Sequence, residues 1–176
     1  MDPSTDEASK RQLDAARRQG EAYGEAARLM MEEVAVDGGE QQAGDYLIGY
    51  AVEKAEGMHR WTGSGLEWVE PDDENLHLEV VVRDAADGRL VPGVRVEATL
   101  TAPDGSELGP FDLPFLWHPM IDHYGRNVVV PGDGDYRLRV RVEPPTYSRH
   151  DKVNGRRFEA PVTAEFESVH VEAGQG

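Results

Sequence analysis

The sequence predicts an all-β protein, an immunoglobulin-like antiparallel β-sandwich carrying an added N-terminal helix. Three observations lead there. Apolar residues recur with a period of two from Tyr46 onward, turn clusters interrupt them at short intervals, and the first forty-odd positions follow a helical period instead.

Residues 8–36 are dominated by Ala, Glu, Arg, Gln and Met, with Ala16, Tyr23, Ala27, Met30 and Val34 on one stripe. Gly20 and Gly24 weaken this helix, and Asp37-Gly38-Gly39 ends it. The stripe needs a surface to cover, either the domain or another subunit. Leu76 to Val82, Val94 to Leu100 and Tyr136 to Val142 read as strands, as does Phe158 to Val171, with Asn127 to Val130 a shorter candidate. Asp87-Gly88, Pro103-Asp104-Gly105 and Pro131-Gly132-Asp133-Gly134 are the turns between them. Short strands between frequent turns favour an antiparallel sandwich over a βαβ sheet. Gly132-Asp133-Gly134-Asp135-Tyr136 opens its strand as a tyrosine corner does, with the Tyr136 hydroxyl expected on upstream backbone. The organisation expected is a helical extension over 1–44, the sandwich over 45–172 and a flexible tail at 173–176.

Thirty-four acids face eighteen bases, a net charge of -16, and only Lys10, Lys54 and Lys152 are lysine. Such a surface repels phosphate backbones, which argues against nucleic-acid binding. A GC-rich genome or adaptation to high salt would each produce this composition. With no cysteine there is no disulfide, thiolate metal site or cysteine nucleophile. No stretch is apolar enough to span a membrane. Met1 to Glu7 lacks the basic and apolar regions of a secretory signal, so the chain as written reads as cytoplasmic, unless a leader has been removed.

Catalytic motifs are missing: there is no Gly-x-Ser-x-Gly elbow, Walker loop or His-Glu-x-x-His helix, and Thr62-Gly63-Ser64-Gly65 reads as a flexible loop. All six histidines fall in the sandwich portion. His59 follows Met58. His118 and His123 bracket Met120 and Asp122 in a loop after Trp117, and His150 lies on another loop after Pro144-Pro145. Imidazole, thioether and carboxylate together suit late first-row metals, Met leaning toward copper and Asp or Glu toward iron(II). Surface or core histidines with no ligand role are the competing reading.

His123-Tyr124-Gly125-Arg126-Asn127, Gly134-Asp135-Tyr136, Val142-Glu143-Pro144-Pro145 and His150 resemble the periplasmic iron-transport protein family that accompanies high-affinity iron permeases. The His77-Leu78-Glu79 strand and the closing Phe158 to Phe166 strand resemble it too. The likeness spans roughly residues 45 to 172, and its His-Tyr-Gly-x-Asn segment is the specific part. It implies an immunoglobulin-like homodimer that binds copper through two His, a Met and a Glu, with iron as the transported metal and an extracytoplasmic location. His123 and His150 match the two imidazole ligands. The family methionine aligns nearest to Phe115, and the family glutamate falls near Glu53 and Glu56. This sequence departs from the family pattern at both places, and His118, Met120, Met58 and His59 are the groups available as replacements. The expected site is therefore His123, His150, His118 and His59, with Met58 or Met120 and a carboxylate such as Glu56, on a copper or iron ion.

The function expected is non-catalytic metal handling in iron or copper uptake, as a homodimer with an iron permease as possible partner. The alternative is an interaction module whose helix recruits a partner, its metal site lost. A copper-dependent redox enzyme is the third reading, for which the sequence offers no substrate pocket.

Overall fold

Ser9 caps the first element: its N–H donates to the Gln12 side chain at 2.8 Å, and α1 follows over Lys10–Leu29. A π-helical turn at Met30–Val34 ends the helix. The structure, a computed structural model, describes all residues 1–176.

Eleven strands follow in chain order: β1 (Asp37–Ala43), β2 (Tyr46–Glu53), β3 (Met58–Trp61), β4 (Leu66–Val69), β5 (Leu76–Asp84), β6 (Val96–Thr101), β7 (Glu107–Leu113), β8 (Phe115–Leu116), β9 (His123–Val128), β10 (Gly134–Val142) and β11 (Val162–Val171). One sheet has the order β1-β2-β5-β9-β8 and the other β11-β10-β6-β7, while β3 and β4 form a separate hairpin. Every strand pair is antiparallel, which is the predicted sandwich.

Alternate residues of each strand fill the space between the sheets: Tyr46, Ile48, Tyr50 and Val52 from β2, Leu76, Leu78, Val80 and Val82 from β5, and Leu138, Val140 and Val142 from β10. The tyrosine corner is present: Tyr136 is buried and its hydroxyl donates to the Gly132 carbonyl at 2.7 Å.

The outer face of the five-stranded sheet is covered as well. Ala27, Met30 and Met31 close a second apolar cluster with Ala51, Val81 and Ile121, and Met120 and Tyr23 pack on its edge. Gly20, read from sequence as a weakness of the helix, is its contact point. A Cβ there would meet the Asp87 carbonyl oxygen at 1.8 Å, so only glycine lets α1 lie this close to the β5–β6 connection.

Residues 37–43, within the stretch read as helical extension, form β1 and pair with Tyr46–Val52 of β2. The helical segment ends before Asp37-Gly38-Gly39, as expected, and Gly38 also marks a close approach, since a Cβ there would meet the Met31 carbonyl oxygen at 2.6 Å. Residues 173–176, read as tail, are tied down by backbone bonds from Gly174 N–H to the Asn75 carbonyl at 2.7 Å and from Gly176 N–H to the Ala55 carbonyl at 2.9 Å. Thr62-Gly63-Ser64-Gly65 is the tip of the β3–β4 hairpin.

Candidate metal centre

Strand β5 is buried on both faces. Its even-numbered residues Leu76, Leu78, Val80 and Val82 enter the sandwich core, so His77, Glu79, Val81 and Arg83 point to the face under α1. Val81 meets the helix cluster, and Arg83 pairs with Glu40 of β1. His77 and Glu79, nearer the strand's start, lie beside His123 at the start of β9, and the ligand atoms of all three lie within 4.8 Å of one another. Glu79 Oε1 is 3.1 Å from His123 Nε2 and 3.4 Å from His77 Nε2.

The far side of each ring is held. His77 Nδ1 lies 2.8 Å from Asn127 Oδ1, and Asn127 Nδ2 donates to the Glu56 carbonyl at 2.7 Å, which orients the amide oxygen toward the imidazole. His123 Nδ1 lies 3.1 Å from the Ile121 carbonyl. Protons on both Nδ1 atoms leave both Nε2 lone pairs facing the Glu79 carboxylate. Buried acceptors do not face one another without a cation or proton between them. His77 Nε2, His123 Nε2 and Glu79 Oε2 have no hydrogen-bond partner.

The charges follow from this packing. Burial disfavours the cationic form of His77, yet the close approach and charge of Glu79 outweigh it and hold the ring above its ordinary pKa. Burial prevails at His123, which is pushed down, with the neighbouring His77 and His118 adding to that. At Glu79 burial opposes ionisation, but the close approach of His77 and the charges of His123 and His77 keep it below the ordinary carboxylate range. Glu53, opposite His77 across the β2–β5 ladder, is raised by burial and by Glu79 and Glu56.

Of the residues expected from sequence, His123 is in this cluster. His118 stands at its edge, its ring centroid 6.2 Å from that of His123, with its Nδ1 accepting the Met120 N–H at 3.3 Å. The half-exposed Glu56 side chain is 3.9 Å from His77 Nε2. His59 is exposed on the hairpin, edge-on to Trp68 with centroids 5.0 Å apart, and Met58 is half-buried beside it. Met120 packs on the helix cluster, and His150 is exposed on the loop after β10. Neither His59 nor His150 is among the grouped ligand atoms.

His77 and Glu79 were quoted from sequence for the strand they occupy and not as ligands. The signal was their i, i+2 spacing, which puts both on one face of a strand. It was masked because that face reads as the solvated side of a half-buried strand, whereas β5 has no solvated side.

Two imidazoles and a carboxylate converging with oriented rings form a donor set for iron(II) or copper(II). The chain is similar to several known proteins. A UPF0423 protein of Brucella abortus (strain 2308) is 33% identical over 122 residues, 58% of this chain and 65% of that relative, so the chain spans a little under two thirds of the relative's length. FetP of uropathogenic E. coli, recombinantly expressed in the periplasm, superimposes with a TM-score of 0.63 at 19% identity, over 76% of this chain and 93% of FetP. The copper-reconstituted P19 protein of Campylobacter jejuni gives a TM-score of 0.63 at 16% identity, over 78% and 96% of the two chains. These two likenesses establish the shared fold. Residues 30–172 match the family described as Fe2+ transport protein, and the chain belongs to that family.

Proposed function

We propose that this protein binds one copper or iron ion through His77 Nε2, His123 Nε2 and Glu79, and carries it in metal uptake without transforming it. The observation that supports this most is the convergence of His77 Nε2, His123 Nε2 and a Glu79 carboxylate oxygen within 4.8 Å of one another, both nitrogens buried and unpartnered and both rings oriented from behind. An ion at about 2.0–2.2 Å from each atom satisfies all three. Such an ion is cargo, bound by residues that do not themselves react.

Three protein ligands leave room for more. His118 and Glu56 are the nearest further donors, on the loop before β9 and the turn after β2. His150 lies outside the cluster, so its match to a family ligand fits a homodimer in which a second copy supplies it. An iron permease as recipient and an extracytoplasmic setting belong to the same reading. They rest on the family match and on the periplasmic expression of FetP. No helix is long and apolar enough to cross a membrane.

Elemental analysis and calorimetry on untagged protein test the reading. Wild type should bind about one copper(II) per chain, and a His77→Ala/His123→Ala double variant should lose it. Equal affinity in the two proteins would end the proposal and leave the interaction-module reading. A His150→Ala variant that weakens binding only where the protein is dimeric would place that ligand on the second copy.

A further inference from the structure

All three tryptophans of the chain, Trp61, Trp68 and Trp117, are exposed, at 69%, 55% and 79%. Large aromatic rings held in water are characteristic of surfaces that bind something. Trp61 and Trp68 belong to the β3–β4 hairpin, whose register sets Trp61 beside Leu66 and His59 beside Trp68. These four side chains therefore share one face of the ribbon, and Leu66 is 66% exposed. The Trp68 ring is fixed, since its Nε1–H donates to Glu70 at 2.7 Å. Trp117 follows exposed Phe115 and precedes His118. The hairpin begins just after Glu56, so both aromatic segments border the His77–Glu79–His123 cluster.

Charge narrows the choice of what sits there. From Glu56 to Glu74 six acids stand against one base, Arg60. Glu67, Glu70, Asp72, Asp73 and Glu74 take part in none of the arginine or lysine ion pairs of the molecule. On the four-stranded sheet Glu97 and Asp112 pair with Arg95, Glu107 with Arg139, and Glu143 with Arg141, while Glu165 and Glu167 of β11 take part in no ion pair. Arg60 lies across the ladder from Glu67, on the other face of the ribbon, so Glu70, Asp72 and Asp73 stand without an ion pair beside a row of apolar anchors.

We propose that this surface docks a basic segment of a partner protein, its apolar side chains seated on Trp61, Leu66 and Trp68 and its Lys or Arg residues facing Glu70, Asp72 and Asp73. A second copy docked through this same face would set its own unpaired acids against these, and anionic lipid headgroups are disfavoured for the same reason. The inference is independent of the metal reading, and its test uses the whole protein free of metal.

Since two of the three tryptophans, Trp61 and Trp68, lie on this surface, intrinsic fluorescence reports on it. The probe is a short synthetic peptide of Lys, Arg and Leu, with a control in which Glu replaces each base. The basic peptide should give a saturable blue shift that weakens with added salt, and the acidic control none. Affinity for the dye-labelled basic peptide should fall at least about tenfold in a Trp61→Ser/Trp68→Ser variant, as for buried interface anchors. It should also fall in a Glu70→Gln/Asp72→Asn/Asp73→Asn variant whose circular dichroism is unchanged. The proposal is overturned by the absence of a shift, by an equal response to the acidic control, or by undiminished affinity in the tryptophan variant, which would reduce binding to net charge. A shift on concentrating the protein alone would assign the surface to a second copy. A shift with phosphatidylcholine/phosphatidylglycerol vesicles and none with peptide would assign it to membrane. Either result also overturns the proposal.

Discussion

His77 and Glu79 stand two residues apart on β5, both turned away from Leu78, with Glu79 Oε1 3.4 Å from His77 Nε2. The spacing fixes the pair on one face of the strand, and burial on both sides of the sheet keeps water from solvating either group. A buried base and a buried acid at that distance share a proton unless something else takes its place.

Metal affinity should therefore rise with pH. His77 is held above its ordinary pKa of about 6.5, so the metal-free site keeps a proton that an incoming ion must displace. His123 is pushed down and stays neutral, ready to ligate. The sign for stability is opposite: the raised His77 stabilises the metal-free fold fully below pH 6.5, and this is lost as pH rises through its folded value. Calorimetry in buffers of different ionisation heat should show proton release on binding. Affinity constant from pH 6 to 8, with no proton released, would contradict this arrangement.

Asn127 is a positioning residue. Its amide oxygen faces His77 Nδ1, and an Asn127→Ala variant leaves that ring free to turn. Copper affinity should fall by roughly 10–100-fold, while Asn127→Asp, which keeps the acceptor, should retain most of it. A shift in the visible spectrum of the copper-loaded alanine variant would separate loss of orientation from mere destabilisation.

Tyr136→Phe should lower stability by about 1 kcal/mol, because it strands the Gly132 carbonyl inside the corner. Thermal melting measures this directly. An unchanged midpoint would show that water replaces the hydroxyl.

Gly20→Ala reverses the usual rule. In an open helix interior the exchange stabilises by about 1 kcal/mol. Here the new methyl would meet the Asp87 carbonyl oxygen at 1.8 Å, so α1 must shift off the sheet. A loss of about 1–3 kcal/mol is expected, with faster amide exchange over the Ala27–Met31 contact. A gain in stability would mean that the helix packs less closely than the structure shows.

Local pattern determined much of this protein. Period-two alternation marked β5, β6, β10 and β11, because one face of each strand must be apolar for the sheets to pack. The glycines and aspartates before Tyr136 announced the corner, and alanine-rich periodicity announced α1. His123 was legible through its His-Tyr-Gly segment. What only the tertiary structure decided is which polar residues meet. His77 and Glu79 are adjacent in the pattern, but their partner His123 lies 44 residues beyond Glu79 and is brought there by the β5–β9 ladder. Likewise β1 has a weak strand signature and exists because β2 offers it an edge. Long-range register and burial of the sheet's outer face under α1 turned a strand histidine into a candidate ligand, and neither is encoded in any single segment.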